Sequence, residues 1–313
     1  MFDRIVGPIL PVAFVIALGF IAGKRGRLTQ SDSLLISRLV LGWIFPALLF
    51  VGMASTPREQ LFDFKFIVAT FIGIMGMYTM ALAIGWFTTR NLKVATLKGF
   101  VNGYPDAAFM GIPILAAMYG AGSIYSVLVL NLVASLVMIP LTTMLLTIAD
   151  GKGSGTQAFV SSLSGAVRRP LMWAPALGIV LSLLQVKLPP LAAESLTLLG
   201  KATPGVSLLC LGLIMSSEKL KMSGEVWGNL GLKLFIHPVL MFAATVLLGT
   251  HGLYAQQMIL LCALPSATIP AMFANQTGAY QSEAATSILV STVLSIVTFS
   301  FAIYLIDGGL AAA

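Results

Sequence analysis

Clusters of charged and polar residues divide the sequence into apolar stretches that are each close to the length of a membrane crossing. A helix needs about 20 apolar residues to cross a bilayer. Charged residues make up only 9% of the 313 residues, too few to cover a soluble surface of that size. The pattern predicts an all-α integral membrane protein. Its ten predicted spans lie at residues 5–23, 34–55, 65–87, 97–119, 123–148, 170–187, 191–216, 226–249, 255–275 and 284–306.

The lysines and arginines are unevenly distributed between the connections of these spans. Twelve follow odd-numbered spans, and four lie on the opposite side, termini included. Because cytoplasmic loops carry the excess of basic residues, both termini are predicted to lie outside the cytoplasm. The remaining two, Lys201 and Lys233, are predicted to be snorkelling anchors near span ends. Topology thus accounts for the net charge of +7, and no nucleic-acid partner is expected.

The longest predicted connection, residues 150–169, divides the chain into halves of nearly equal length, 1–149 and 170–313. It contains the sequence GKGSG, which is typical of a flexible cytosolic linker. Each half has five predicted spans. Because five is an odd number, two structurally similar halves must have opposite orientations in the membrane. The sequence therefore predicts an inverted repeat.

A proline motif occurs at the same place in both halves, as YPDAAF (104–109) in the fourth span and LPSATI (264–269) in the ninth. Proline removes an amide donor and clashes with the preceding turn, so both spans are predicted to be broken. Broken backbone persists in lipid only where it is buried or lines a polar cavity. Paired breaks in inverted halves predict a midplane substrate site, with packing kinks as the alternative. The motif residues of this predicted site are Pro105, Asp106, Ala107, Pro265, Ser266 and Ala267.

Asp106 is the only acid within the predicted hydrocarbon depth. An acid there costs about 2.5–3.5 kcal/mol on insertion scales, which favours a functional role over that of a helix cap. Asn131 on the fifth span is predicted either to contact the substrate or to join two helices by a hydrogen bond. Asn102 is predicted to bond the carbonyls freed at Pro105 rather than the substrate. Ser291 on the tenth span has the same ambiguity as Asn131.

Other classes of function are less compatible with the sequence. An intramembrane aspartyl protease needs two facing acids, whereas Asp106 is the only acid at the predicted membrane depth. The histidines His237 and His251 do not form the H-E-x-x-H pattern of a zinc protease. We therefore expect no enzyme activity, no metal and no cofactor, and we expect His237 to fill a polar niche. A channel is the stronger rival, because broken helices also line pores. A solute-sensing membrane receptor is a further alternative.

Both broken spans resemble motifs of the auxin efflux carrier family, which includes the plant PIN carriers. YPDAAFMGIPILAAMYG is similar to the fourth-span motif, in which a Pro-Asn pair precedes MGIP and then AMYG. ALPSATIPAMFA resembles the ninth-span motif, and weaker similarity includes FPALLF in the second span and VLN in the fifth. The resemblance implies two inverted five-helix repeats with crossing, broken helices 4 and 9. It also implies a homodimer and elevator-like transport of an organic anion, with a scaffold from helices 1, 2, 6 and 7 and a transport domain from helices 3–5 and 8–10.

The resemblance further implies roles for individual residues. Asp106 stands where the plant carriers have an Asn that binds the substrate carboxylate, Asn131 stands at the position of a Gln, and Ser266 replaces a polar residue after the proline. The compact length is closer to bacterial members, some of which are linked with malonate or similar dicarboxylates. We therefore expect a dicarboxylate or an auxin-like carboxylate as the substrate in a bacterial inner membrane. Coupling to H⁺ or Na⁺ is expected at Asp106.

Overall fold

The computed structural model of the chain describes residues 2–57, 63–151, 154–217 and 221–306. Over these ranges the secondary structure is helical, with one isolated β-bridge. The helices are α1 (Phe2–Lys24), α2 (Gln30–Ala54), α3 (Phe64–Thr89), α4 (Leu92–Gly103), α5 (Ile112–Tyr119), α6 (Tyr125–Ala149), α7 (Gly155–Val167), α8 (Pro170–Leu183), α9 (Pro190–Ser217), α10 (Gly224–Leu248), α11 (Leu253–Ala263), α12 (Ile269–Thr277) and α13 (Gln281–Leu305). The prediction of an all-α integral membrane protein is confirmed.

Six helices of the described ranges are long and apolar enough to cross a membrane, namely α2, α3, α6, α9, α10 and α13. They coincide with six of the predicted spans. Shorter apolar helices lie at the other four predicted spans, at Ala13–Lys24, Phe109–Tyr119, Met172–Leu183 and Leu253–Ala263. The fourth and ninth spans are short because each is broken into two helices. The count of ten spans and their inverted repeat stay predictions.

Four π-helical turns occur in the described residues, three within α2, α6 and α10 and one directly before α5, and each ends two residues before a proline. A proline ring clashes with the carbonyl four residues earlier and offers no amide to it, so the preceding turn widens. Such widened turns are frequent at functional sites. The turns are Val40–Ile44, Ala107–Gly111, Ala134–Met138 and Leu232–Ile236.

The chain forms two compact units. The first unit comprises Met1–Asp63, Ala108–Leu128 and Val167–Glu218. Within it, α1 packs along the second half of α9. A side chain at Gly19 or Gly212 would overlap the backbone of the facing helix, so these two glycines allow the helices to touch backbone to backbone. Close packing through small residues is a common way for helices to associate in membranes.

The second unit comprises Phe64–Ala107, Val129–Ala166 and Lys219–Ala313. Within it, α3 packs on α4, where the absent side chains of Gly99 and Gly103 leave room for the backbone and side chain of Tyr78. The Tyr78 hydroxyl lies 3.0 Å from Thr142 Oγ1 on α6, which joins three helices around the first half of the fourth span. The second unit also contains both halves of the ninth span.

The predicted flexible linker is helical over much of its length, so this prediction was wrong for Gly155–Val167, which forms α7. The glycine-rich sequence ends at Gly155, and the following residues contain no proline that would stop a helix. Ser162 Oγ lies 3.4 Å from Thr143 Oγ1, which links α7 to α6. Three basic residues of the charge count, Arg58, Lys152 and Lys219, lie outside the described residues.

Candidate functional site

The fourth and ninth spans are both broken at the proline that the motif predicts. α4 ends at Gly103, and Tyr104 is extended with φ −109° and ψ 99°. α11 ends at Ala263, and Leu264 is extended with φ −67° and ψ 158°. A residue that precedes proline is pushed out of the helical region by the proline ring, which explains why each helix ends where it does. Both breaks predicted from the sequence are therefore present.

The two breaks pair with each other through their backbones. An antiparallel bridge joins Pro105 and Ser266. The Asp106 amide donates to the Pro265 carbonyl at 2.9 Å, and the Ala267 amide donates to the Tyr104 carbonyl at 2.9 Å. Unpaired backbone groups within a membrane cost several kcal/mol each, roughly, so this exchange lets both helices remain broken. We call the paired segment, residues 104–107 and 264–267, the crossing.

The crossing is closed off from solvent and lies within the second unit. Asp106 is 1% exposed, and Ser266 is 2% exposed. Ser266 Oγ has no hydrogen-bond partner among the described residues. A buried hydroxyl without a partner costs about 1–3 kcal/mol, which a ligand oxygen could recover. The other residues of the crossing, Tyr104, Pro105, Ala107, Leu264, Pro265 and Ala267, are buried as well.

Ser291 lies at the crossing, and Asn131 is buried elsewhere in the same unit. The Ser291 hydroxyl is 3.4 Å from the Ser266 amide and accepts its hydrogen bond, so α13 reaches the ninth-span break. Asn131 on α6 is 4% exposed. Whether Asn131 contacts a substrate stays a prediction. The structure thus brings together seven of the nine candidate residues that the sequence indicated, the six motif residues and Ser291.

Asn102 has a different set of partners from the one predicted. Its Nδ2 donates to the Lys98 carbonyl at 2.8 Å and to Asn229 Oδ1 at 3.0 Å. The carbonyls that Pro105 leaves without an amide donor lie at the end of α4, after Lys98. The prediction that Asn102 bonds those carbonyls was therefore wrong. Asn229 in turn donates to the hydroxyls of Tyr280 and Ser287, both at 2.9 Å. Asn102 therefore anchors the end of α4 to α10 and α13.

Lys233 is a residue of this site that the sequence reasoning missed. It was predicted to snorkel near a span end, and this was wrong, because Lys233 is only 1% exposed. Its Nζ donates to the Cys262 carbonyl at 3.0 Å and lies 2.9 Å from His237 Nδ1. The signal in the sequence was the spacing of Lys233 and His237, four residues apart on one helix face.

Two cavities lie away from the crossing. A cavity of about 290 Å³ in the second unit is lined almost wholly by apolar side chains, including Phe235, Phe242 and Phe301. Such a lining suits lipid chains. A cavity of about 460 Å³ in the first unit includes the hydroxyl groups of Ser55 and Tyr125 on its lining. Neither cavity is lined by a residue of the crossing.

Comparisons with known proteins agree with the sequence motifs. A family described as membrane transport protein matches residues 4–303. The "Uncharacterized transporter YfdV" of Escherichia coli (strain K12) is 27% identical over 308 residues, 97% of this chain and 98% of that protein. A Rhizobium meliloti (strain 1021) protein named "Putative malonate transporter" is 27% identical over 314 residues, 98% of this chain and 97% of that protein.

A plant relative is similar over a shorter range. The "Probable auxin efflux carrier component 3b" of Oryza sativa subsp. japonica is 28% identical over 117 residues, which is 35% of this chain and 20% of that protein. The names of all three relatives describe transporters or carriers rather than enzymes. The expectation that this chain is not an enzyme is therefore confirmed.

Proposed function

The chain belongs to the auxin efflux carrier family of membrane transport proteins, and on that premise we propose that it is a secondary active transporter of a small organic anion. The leading substrate is a dicarboxylate such as malonate, and an auxin-like carboxylate is the second choice. The name of the Rhizobium meliloti relative supports malonate, because that protein resembles this chain along almost its whole length. The crossing is the proposed binding site.

The observation that carries this proposal is the reciprocal backbone pairing of two broken spans. Two short extended segments meet at Pro105 and Ser266 within otherwise apolar helices. Such irregular backbone is tolerated at membrane depth where it is buried in protein or lines a polar cavity. In secondary transporters, paired broken helices hold the substrate, with half-helix amino termini directed at its anionic groups. The second half of the ninth span, α12, begins at Ile269, two residues after the crossing.

The small residues beside the crossing suit a small ligand. Ala107 and Ala267 directly follow the two paired positions, and both are buried. Each helix start carries roughly half a positive charge, so the start of α12 would partly neutralise a carboxylate. The hydroxyl of Ser266, which has no partner in the part of the chain that the structure describes, offers one further hydrogen bond to a substrate oxygen. Together these groups bind an anion of a few heavy atoms better than a large or apolar compound.

The proposed mechanism is elevator-type alternating access. All the contacts that form the crossing lie within the second unit. A site that is built wholly within one compact body can move with that body, which is what an elevator requires. We propose that helices 1, 2, 6 and 7 form the scaffold and that helices 3–5 and 8–10 carry the substrate; of this second set, residues 108–128 belong to the first unit and the rest to the second. A homodimer in a bacterial inner membrane, with both termini outside the cytoplasm, completes the proposal.

We assign cation coupling to Asp106. An ionised Asp106 beside a bound carboxylate would repel it, and at low effective dielectric this repulsion reaches several kcal/mol. Protonation removes the repulsion and turns the side chain into a hydrogen-bond donor. A bound sodium ion would neutralise the same charge. The proposal therefore predicts that uptake depends on a proton gradient or on a sodium gradient.

Counterflow measures the proposed activity directly. Purified protein in proteoliposomes that are loaded with unlabelled malonate should accumulate labelled malonate from outside, and the initial rate should saturate with concentration. Vesicles without protein, and vesicles loaded with an uncharged solute of similar size, are the controls. Flux that rises linearly with concentration and shows no counterflow would indicate a channel instead. If none of a set of mono- and dicarboxylates is taken up, the proposal fails.

A further inference from the structure

The buried ammonium of Lys233 lies at the carbonyl end of the first half of the ninth span. Lys233 belongs to the π-helical turn Leu232–Ile236, and its Nζ is 3.0 Å from the Cys262 carbonyl oxygen. Cys262 lies in the last turn of α11, three residues before Pro265. The last four carbonyls of a helix lack partners within that helix. The ammonium therefore binds a carbonyl at a helix end that is broken next to the crossing.

This position is where a free cation would be expected. The carboxyl-terminal end of a helix carries roughly half a negative charge. In secondary transporters with broken helices, such carbonyl ends coordinate the coupling cation. Here the side chain of Lys233 supplies a positive charge to the same kind of group. A lysine in that place removes the electrostatic reason for a sodium ion to bind there.

The groups around Lys233 give the site a balanced charge. His237 Nδ1 lies 2.9 Å from Nζ on the same helix, and the Cys262 thiol is on α11. Asp106 of the crossing, in the same unit, supplies the carboxylate of this site. On α4, Lys98 is engaged by Glu225 at 2.7 Å. One ammonium and one carboxylate therefore offset each other, which reduces the cost of burying either charge.

We propose that Lys233 is a tethered counter-cation of the crossing that stands in for a coupling sodium ion, so that an organic anion binds without sodium. The inference rests on the proposed transport function and concerns how the charge of that site is balanced. When the substrate carboxylate arrives, protonation of Asp106 leaves the ammonium of Lys233 as the partner of the substrate. The net charge of the loaded site is then zero for a monoanion and −1 for malonate, which is a dianion near neutral pH.

The first test uses the wild-type protein in detergent and malonate as the probe. Its dissociation constant is measured by calorimetry at constant ionic strength, once in sodium chloride and once in choline chloride. We expect the two constants to agree within about twofold, well under the tenfold change that corresponds to 1.4 kcal/mol. Binding that is tenfold or more weaker in choline would overturn the inference. Absence of carboxylate binding in both salts would instead refute the proposed function.

The second test removes the ammonium and supplies a small cation in its place. Lys233→Ala in choline should bind malonate about tenfold or more weakly than wild type, because the anion loses its counter-charge. Added sodium or methylammonium should restore part of that affinity. Lys98→Ala is the matched control, since it removes a buried and paired lysine of the same unit and should show no such recovery. If Lys233→Ala binds malonate as tightly as wild type does, the inference is overturned. If the variant does not fold, the comparison of sodium chloride with choline chloride on the wild-type protein tests the inference alone.

Discussion

The two breaks share a backbone arrangement and differ in their side chains. At each break a proline follows an extended residue, and an amide just after the proline donates to the carbonyl of a residue at the other break. The fourth-span break has the carboxylate of Asp106, whereas the ninth-span break has the hydroxyl of Ser266 at the matching motif position. The shared arrangement therefore depends on proline and backbone amides, while only one of the two breaks carries a charged side chain.

The packing beside the two breaks also differs. Tyr104, which precedes the fourth-span proline, stacks on Phe100 with ring centroids 5.7 Å apart. Phe100 in turn meets Phe273 of α12 edge to face at 5.2 Å. At the ninth-span break the corresponding residue is Leu264, and the polar contact comes from Ser291 instead. The aromatic contacts hold the first half of the fourth span against the second half of the ninth, whereas a hydroxyl ties the ninth-span break to α13.

The chain also continues differently after each break. After Ala107 the fourth span passes into Ala108–Leu128, which belongs to the first unit, whereas the ninth span stays in the second unit on both sides of its break. Asp106 and Ala107 are therefore the last residues of a segment of the second unit. The ninth-span break therefore lies within one unit, whereas the fourth-span break is followed directly by a segment of the other unit.

The largest expected effect tests the difference in charge between the two breaks, which comes from Asp106. Asp106→Asn should lower accumulation of substrate against a gradient by about tenfold or more, because the neutral amide no longer exchanges a cation. Binding should persist in the variant. In wild type, binding should weaken as the pH rises and Asp106 ionises, and in the variant this dependence should flatten. Uptake into proteoliposomes with an imposed pH or sodium gradient, together with binding at several pH values, measures both effects.

Ser266→Asn is the control for the charge variant, because it places the same amide at the other break. It should leave the pH dependence of binding as it is in wild type. If Asp106→Asn still concentrates substrate as wild type does, Asp106 is a structural residue and the breaks do not differ in the way we describe.

An intermediate effect tests what the two breaks share. Ala107→Leu and Ala267→Leu should each reduce substrate affinity by about tenfold, because a larger side chain beside the crossing fills space and overpacking costs about 1–3 kcal/mol. Calorimetric titration with malonate, with the unfolding temperature as a check of folding, measures this. Ala274→Leu is the matched control, since Ala274 is equally buried in the apolar cluster of the second unit. If the two crossing variants bind malonate with the same affinity as the control Ala274→Leu, the two breaks do not share a binding site.

The smallest effect sharpens the role of the hydroxyl. Ser266→Ala removes a buried oxygen that lacks a partner among the described residues, so the free energy of unfolding should stay the same or rise by about 1 kcal/mol. Affinity for malonate should fall by about fivefold, which corresponds to one hydrogen bond of about 1 kcal/mol. Ser291→Ala should instead lower the unfolding temperature, because its hydroxyl accepts from the Ser266 amide and donates to the Ile288 carbonyl. A loss of stability in Ser266→Ala would indicate that its hydroxyl has a structural partner.

Much of the site followed from local chemistry. Pro105 and Pro265 each disfavour a helical conformation of the residue before them, so the breaks were predictable from the matching motifs in two apolar stretches. The role of Lys233 was not predictable from the sequence. A lysine a few residues inside a span reaches either solvent or a buried partner, and which of the two it reaches depends on how the neighbouring helices pack. The polar network of Asn102 with Asn229 has the same origin, since its members lie 127 residues apart in the chain.

The sequence by itself determined that the chain is a helical membrane protein with two proline breaks in matching positions. These properties depend on hydrophobic length and on the covalent geometry of proline, which act within a single segment. Only the tertiary structure decided that the breaks pair with each other, that Ser291 reaches them and that the ammonium of Lys233 binds the Cys262 carbonyl. Pairing across such distances depends on the register in which the helices pack, and the pattern of apolar residues does not specify that register because lipid and protein interiors are equally apolar.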